Sequence, residues 1–119
     1  MTTWIAVAIV GALGACGRFT LDGLVERRSG LGYPLGTLVV NLTGAFALGL
    51  LAGADISGRV QVLAGVAFLG AYTTFSTWMF ESARLAEDGE LRQATLNLAG
   101  SLALGLVIAA AGYGVGSLW

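Results

Sequence analysis

Residues 68–81 constrain this chain more than any other stretch. The run Phe68-Leu69-Gly70-Ala71-Tyr72-Thr73-Thr74-Phe75-Ser76-Thr77-Trp78-Met79-Phe80-Glu81 begins as an apolar segment suited to crossing a bilayer. It then meets Gly70 and four hydroxyl residues, at 73, 74, 76 and 77, with aromatic rings between them. In hydrocarbon every backbone N–H and C=O needs a partner, so a helix interrupted at mid-membrane survives only where protein or a water-lined cavity covers the break. Such breaks mark ion or substrate sites. The competing reading is that small and hydroxyl residues simply let helices pack closely.

Composition places the break in a membrane protein. Of 119 residues 56% are hydrophobic and only 11% charged, and windows of about 20 apolar residues recur along the chain. The expected fold is an all-α integral membrane protein of four helices, at 3–21, 35–54, 60–84 and 94–118, the third broken near its middle. Charge collects in short connections, which leave no room for a soluble domain. Pro34 stands where it can start the second helix without sacrificing a hydrogen bond.

Several function classes drop out. Six arginines, no lysine and a net charge of −1 indicate neither a nucleic-acid surface nor a polybasic lipid-binding patch. The chain has no histidine and one cysteine, which removes the usual zinc, haem and disulfide frameworks. Without histidine or lysine a Ser or Thr nucleophile has no base, so no catalytic residue is expected. Leu13-Gly14-Ala15-Cys16 resembles a lipoprotein cleavage box, but Met1-Thr2-Thr3-Trp4 lacks a basic n-region. Cys16 is expected to be a buried, inert side chain.

The second helix carries Thr37, Asn41, Ala45, Gly49 and Gly53 at steps of four, and the fourth repeats the design with Asn97, Ser101, Gly105, Ala109 and Tyr113. Each is a polar-to-small track along one face. Interhelical hydrogen bonding accounts for a single Asn or Ser; two tracks beside a broken helix favour a permeation path. No carboxylate lies well inside the spans, since Asp22, Asp55 and Glu81 fall near their ends. A proton-coupled cation carrier is therefore disfavoured, and so is a small multidrug exporter. The remaining groups are amide N–H, hydroxyl O–H and aromatic ring edges, all donors suited to a small anion that accepts strong hydrogen bonds.

These residues resemble the Fluc or CrcB-type fluoride channels. The likeness runs through Gly11-Ala12-Leu13-Gly14-Ala15 to Arg18-Phe19, through Gly36-Thr37-Leu38-Val39-Val40-Asn41-Leu42 with Gly44, and through Thr73-Thr74-Phe75-Ser76-Thr77 followed by Glu81. The third-helix motif is specific and the others support it. The resemblance implies a passive fluoride channel built as an antiparallel dimer in a bacterial plasma membrane, with pores along the subunit interface. Asn41 would be the pore asparagine and Phe75 the first pore phenylalanine. Thr37, Ser76, Thr77, Asn97 and Ser101 would complete the polar lining. Backbone carbonyls at Gly70 and Thr73 would hold a structural sodium ion on the dimer axis, and Arg18 and Glu81 match family positions near helix ends.

Three positions depart from the family pattern. Trp78 stands where a second phenylalanine is usual, Asn97 where a tyrosine is often found, and Gly105 where a hydroxyl is expected. The arginines are also uneven. Arg27, Arg28, Arg84 and Arg92 gather around loops one and three, and only Arg59 lies at the other side. The positive-inside rule then puts loops one and three in the cytoplasm and both termini outside. A dual-topology homodimer needs little such bias. The partner is thus either a second copy or an oppositely oriented sister chain, and a nonconducting assembly subunit is the alternative to a channel.

Overall fold

The computed structural model describes residues 2–29, 35–56 and 58–118. It contains four helical spans long and apolar enough to cross a membrane. The first is α1 (Thr2–Ser29) and the second α2 (Leu35–Gly53). The third span is divided into α3 (58–72) and α4 (Ser76–Glu87), and the fourth is α5 (Leu91–Gly116). The Pro34 helix start lies outside the described residues.

α1 runs eight residues past the expected stop at 21. Its 28 residues make a rod of about 42 Å, longer than a hydrocarbon core of about 30 Å. Asp22, Glu26, Arg27 and Arg28 are therefore helical rather than loop residues. Arg27 and Arg28 in the last turn suit the negative end of the helix dipole. Arg18 is consequently well inside α1 rather than at its end, and Glu81 is likewise inside α4. Cys16 is exposed on the protomer surface, contrary to the expected buried position, because its side of α1 turns away from the other spans.

Turn chemistry closes the helices. Asp55 adopts φ 58° after α2 while the Ala54 N–H reaches Leu50 and that of Ile56 reaches Leu51. After α4, Gly89 at φ 81° lets the Glu90 N–H reach the Leu85 carbonyl at 2.8 Å, a left-handed stop that glycine adopts without Cβ strain. Within the third and fourth spans, Gln61–Leu69 and Leu96–Gly100 wind more widely, in π-helical turns.

Backbone proximity dominates the packing. A Cβ on Gly14 would overlap the Phe68 carbonyl, which seats α1 directly on α3. A Cβ on Gly49 or Gly53 would overlap the carbonyl oxygen of Ala109 or Tyr113, and one on Gly112 or Gly116 that of Phe46 or Leu50. The small ends of both tracks are thus spent on joining α2 to α5, and in this half helix packing is the correct reading. Small residues serve this purpose where lipid is as apolar as any side chain. Large apolar side chains face outward instead, among them Ile9, Leu13, Leu106 and Val107.

Candidate functional site at the break in the third span

α3 ends because Thr73 turns extended, at φ −77° and ψ 160°. Its N–H and its hydroxyl both donate to the Leu69 carbonyl, each at 2.9 Å. The ladder of α4 starts with the Met79 N–H donating to the Phe75 carbonyl at 3.0 Å. Between them Thr74 acts as a cap, its Oγ1 accepting from the Thr77 N–H at 3.2 Å and lying 3.1 Å from the Thr77 hydroxyl.

Asn41 supplies what the interrupted ladder lacks. Its Nδ2 donates to the Thr74 carbonyl at 3.0 Å and its Oδ1 accepts from the Thr74 N–H at 2.9 Å. The side-chain amide therefore pairs with the backbone as a neighbouring strand would, satisfying both groups of one residue at membrane depth. Gly44, one turn further along α2, leaves room for Thr73 and Tyr72, and the Tyr72 hydroxyl meets that of Thr43 at 2.9 Å. Arg18 completes the support by donating from Nε to the Ala71 carbonyl at 3.4 Å.

The carbonyls of Gly70 and Thr73 receive no hydrogen bond among the described residues. Free carbonyls released from a helix ladder are hard oxygen ligands of the kind that bind an alkali cation, so the residues present fit the sodium site that the resemblance implies.

A second set of bonds holds α4 to α5. The Trp78 indole N–H donates to the Asn97 carbonyl at 2.7 Å. Asn97 Nδ2 donates to Ser82 Oγ at 2.8 Å, and Ser82 Oγ donates back to the Trp78 carbonyl at 2.9 Å. Ser101 Oγ lies 3.5 Å from Asn97 Oδ1. Asn97 is only 2% exposed.

Two grooves border these groups. One, of about 290 Å³, runs between α2 and α5; leucines such as Leu42 and Leu102 form most of its wall, and Asn41, Trp78 and Ser101 interrupt them. The other, of about 250 Å³, lies against the break, past Asn41, Thr73, Thr74, Phe75 and Trp78. Asn41 and Trp78 border both. Phe75 is 69% exposed, and its ring meets that of Trp78 edge to face with centroids 5.7 Å apart.

The structure thus gathers Asn41, Thr73, Phe75, Trp78 and Ser101 around the grooves, with Thr77 under the Thr74 cap and Ser76 exposed beside Phe75. Thr37 lies apart, buried where α2 begins. Glu81 comes beside it, its carboxylate facing the Thr37 hydroxyl, and Asp22 Oδ1 is buried without a hydrogen bond among the described residues. The Glu26 carboxylate accepts from the Gly36 N–H at 2.9 Å, at the positive end of α2. Sequence reasoning assigned no role to Thr74 or Ser82. Their signals were present in the Thr74-x-x-Thr77 cap spacing and in Ser82 standing four residues after Trp78.

Fold and site define a class: a four-span membrane protein whose third helix breaks at mid-membrane, with largely apolar grooves that carry a few amide, hydroxyl and aromatic groups and, among the described residues, no carboxylate. A family model described as CrcB-like protein, Camphor Resistance (CrcB), matches residues 5–113. The chain is 53% identical over 108 residues to the fluoride-specific ion channel FluC 2 of Mycolicibacterium paratuberculosis, covering 88% of each chain. It is 43% identical over 112 residues to the fluoride-specific ion channel FluC of Geobacter sulfurreducens, covering 90% of each. With the fluoride-specific ion channel FluC 1 of Leifsonia xyli subsp. xyli it shares 41% identity over 118 residues, 96% of this chain and 86% of the relative. The chain belongs to the CrcB family.

Proposed function

We propose that this chain is a subunit of a fluoride-selective channel that lets the ion leave a bacterial cell passively, with its pores on the surface that bears the two grooves. The observation that carries the reading is the break itself. Gly70, Phe75 and Ser76 are exposed at the depth where α3 stops and α4 begins, and irregular backbone does not face lipid. A second protomer must cover this surface, so the grooves beside it become enclosed paths between subunits.

The few polar groups along these largely apolar grooves suit a small, strongly hydrated anion. One N–H of the Asn41 amide is engaged by Thr74, which leaves its second hydrogen to donate. Ser101 adds a hydroxyl, and Phe75 and Trp78 add ring edges, the positive part of the aromatic quadrupole. Apart from Arg18, which is engaged with the Ala71 carbonyl beside the break, these donors carry no charge, and they strip water in stages and still release the ion. The carbonyls of Gly70 and Thr73, with those of the second protomer, would hold the sodium ion, whose positive charge would satisfy oxygens the helix has abandoned.

The partner follows from the arginines. α1, α4 and α5 bring Arg27, Arg28, Arg84 and Arg92 to one end of the bundle, and Arg59 is at the other. This bias favours one orientation, and hence an inverted sister chain over an inverted copy. Reporters fused to the C terminus are expected to signal from one side only; equal signals from both sides would favour the homodimer.

Liposomes containing the purified chain are the direct test of the channel, read with a fluoride electrode against chloride-loaded controls. Rapid release of fluoride without chloride is expected if the chain suffices alone. If it does not, co-reconstitution with a sister chain should restore release, and silence in both cases would refute the channel. Phe75→Ile removes a ring edge from a largely exposed position, so flux should fall about tenfold while the thermal midpoint of the protomer stays within a few degrees. An equal fall in both would assign Phe75 to packing.

A further inference from the structure

Trp78, Asn97 and Ser82 form a closed circuit of three hydrogen bonds: indole N–H to the Asn97 carbonyl at 2.7 Å, Asn97 amide to the Ser82 hydroxyl at 2.8 Å, and Ser82 hydroxyl to the Trp78 carbonyl at 2.9 Å. We propose that Asn97 is a positioning residue for anion selectivity, fixing through this circuit which part of the Trp78 ring the two grooves meet. The proposal rests on the channel reading above and deepens it.

Three observations carry the argument. Trp78 borders both grooves together with Asn41, Ala45 and Leu48, so it is part of the wall they share. Asn97 is 2% exposed and reaches neither groove, so it acts on an ion only through what it holds. It holds two wall groups at once: Trp78 through its carbonyl, and Ser101 through its amide oxygen at 3.5 Å. Asn97 also sits within the wide turns of Leu96–Gly100, where the altered ladder turns a carbonyl toward a side-chain donor.

The chemical consequence is a choice between two faces of one residue. With its N–H spent on Asn97, Trp78 offers an ion only carbon-bound ring hydrogens, as a phenylalanine would, and it does so from a fixed position against Phe75. Released, the indole would present a strong N–H donor and would swing. A mobile donor accommodates larger anions, so fluoride would lose its advantage over chloride.

The test uses the full chain in liposomes, together with its sister if fluoride release requires one, and compares fluoride with chloride release. Asn97→Ala keeps the main-chain carbonyl that accepts the indole N–H and removes the side chain that ties residue 97 to Ser82; by loosening the circuit at that link, it and Ser82→Ala should each lower the fluoride-to-chloride ratio about tenfold, while Ser82→Thr, which keeps the hydroxyl, should retain it. In a Trp78→Phe background Asn97→Ala should lower the ratio no further, because the group it positions through the circuit is gone. In the ¹⁵N spectrum of tryptophan-labelled protein, the Trp78 indole proton should exchange slowly in the parent and at least about tenfold faster in Ser82→Ala. An unchanged ratio in both alanine variants, or an equal fall with and without Trp78, would reduce Asn97 to packing and overturn the proposal alone. Absence of fluoride release from the parent assembly would remove the channel reading and this proposal together.

Discussion

Asn41→Asp is expected to reduce fluoride flux about a thousandfold. A carboxylate about 4 Å from a passing anion repels it by about 4 kcal/mol at the effective dielectric of a partly wetted protein site, and each 1.4 kcal/mol is a factor of ten. The same change disturbs the break. The new side chain still accepts from the Thr74 N–H, but it no longer donates to the Thr74 carbonyl, which then faces a negative oxygen. Asn41→Ala separates the two effects. It adds no charge but abandons both groups of Thr74, each worth about 1–3 kcal/mol when left unsatisfied, so stability should fall by about 2–6 kcal/mol. Flux from liposomes and unfolding in detergent distinguish the roles. The aspartate should be the worse conductor and the alanine the less stable protein. If both variants unfold early and the surviving fraction conducts normally, Asn41 is a brace for the helix break and lines no pore.

The dual duty proposed for Asn41 was only half legible in the sequence. Its residue type and place on a polar track marked it as a pore candidate, yet its partner is 33 residues away, and nothing local joins an α2 amide to one peptide group of a loop. The break was legible from the hydroxyl residues in an apolar run, although Gly70 itself stays helical at φ −62° and ψ −37° and the chain turns extended only at Thr73; the four spans were legible from the apolar runs themselves. The tracks were harder to read. Residue type states what a face tolerates, not what stands opposite it, so polar and small positions looked like one continuous path. In the structure Asn41 and Ser101 open on a groove, whereas Gly49 and Gly53 are closed by α5. Groove lining and packing each claim half of the same stripe.

Counting in fours also misplaced one residue and truncated one helix. The wide turns of Leu96–Gly100 shift the phase of α5, so a series begun at Asn97 does not keep one face, and Asn97 falls inside the protomer. The indole N–H that Trp78 has and phenylalanine lacks goes to the Asn97 carbonyl. α1 was taken to stop where charges begin, but Asp22 and Glu26 pack against the start of α2, at Gly36. Charged residues in that position extend a helix rather than end it.

The largest structural effect should come from the glycine contact between α2 and α5. Gly49 and Gly112 lie on opposite helices, and each has a carbonyl oxygen of the other helix where its own Cβ would be, from Ala109 and Phe46 respectively. Even alanine must push the backbones apart, and overpacking of this kind costs about 1–3 kcal/mol per site. Gly49→Ala combined with Gly112→Ala should therefore destabilise the protomer by about 2–6 kcal/mol, less than the sum if one displacement relieves both overlaps. Gly114 on the same helix has open space around it, and Gly114→Ala should be neutral or gain about 0.5–1 kcal/mol from helix preference. Unfolding followed by circular dichroism in mixed detergent measures all three. The separation has a functional reading too. Asn41 and Ser101 stand further along the same pair of helices, so spreading them at Gly49 and Gly112 widens the groove at its far end, and chloride release should rise relative to fluoride in whatever fraction remains folded. If the double variant is as stable as the parent, the two helices do not meet through their backbones, and the small halves of the tracks are free to belong to the ion path after all.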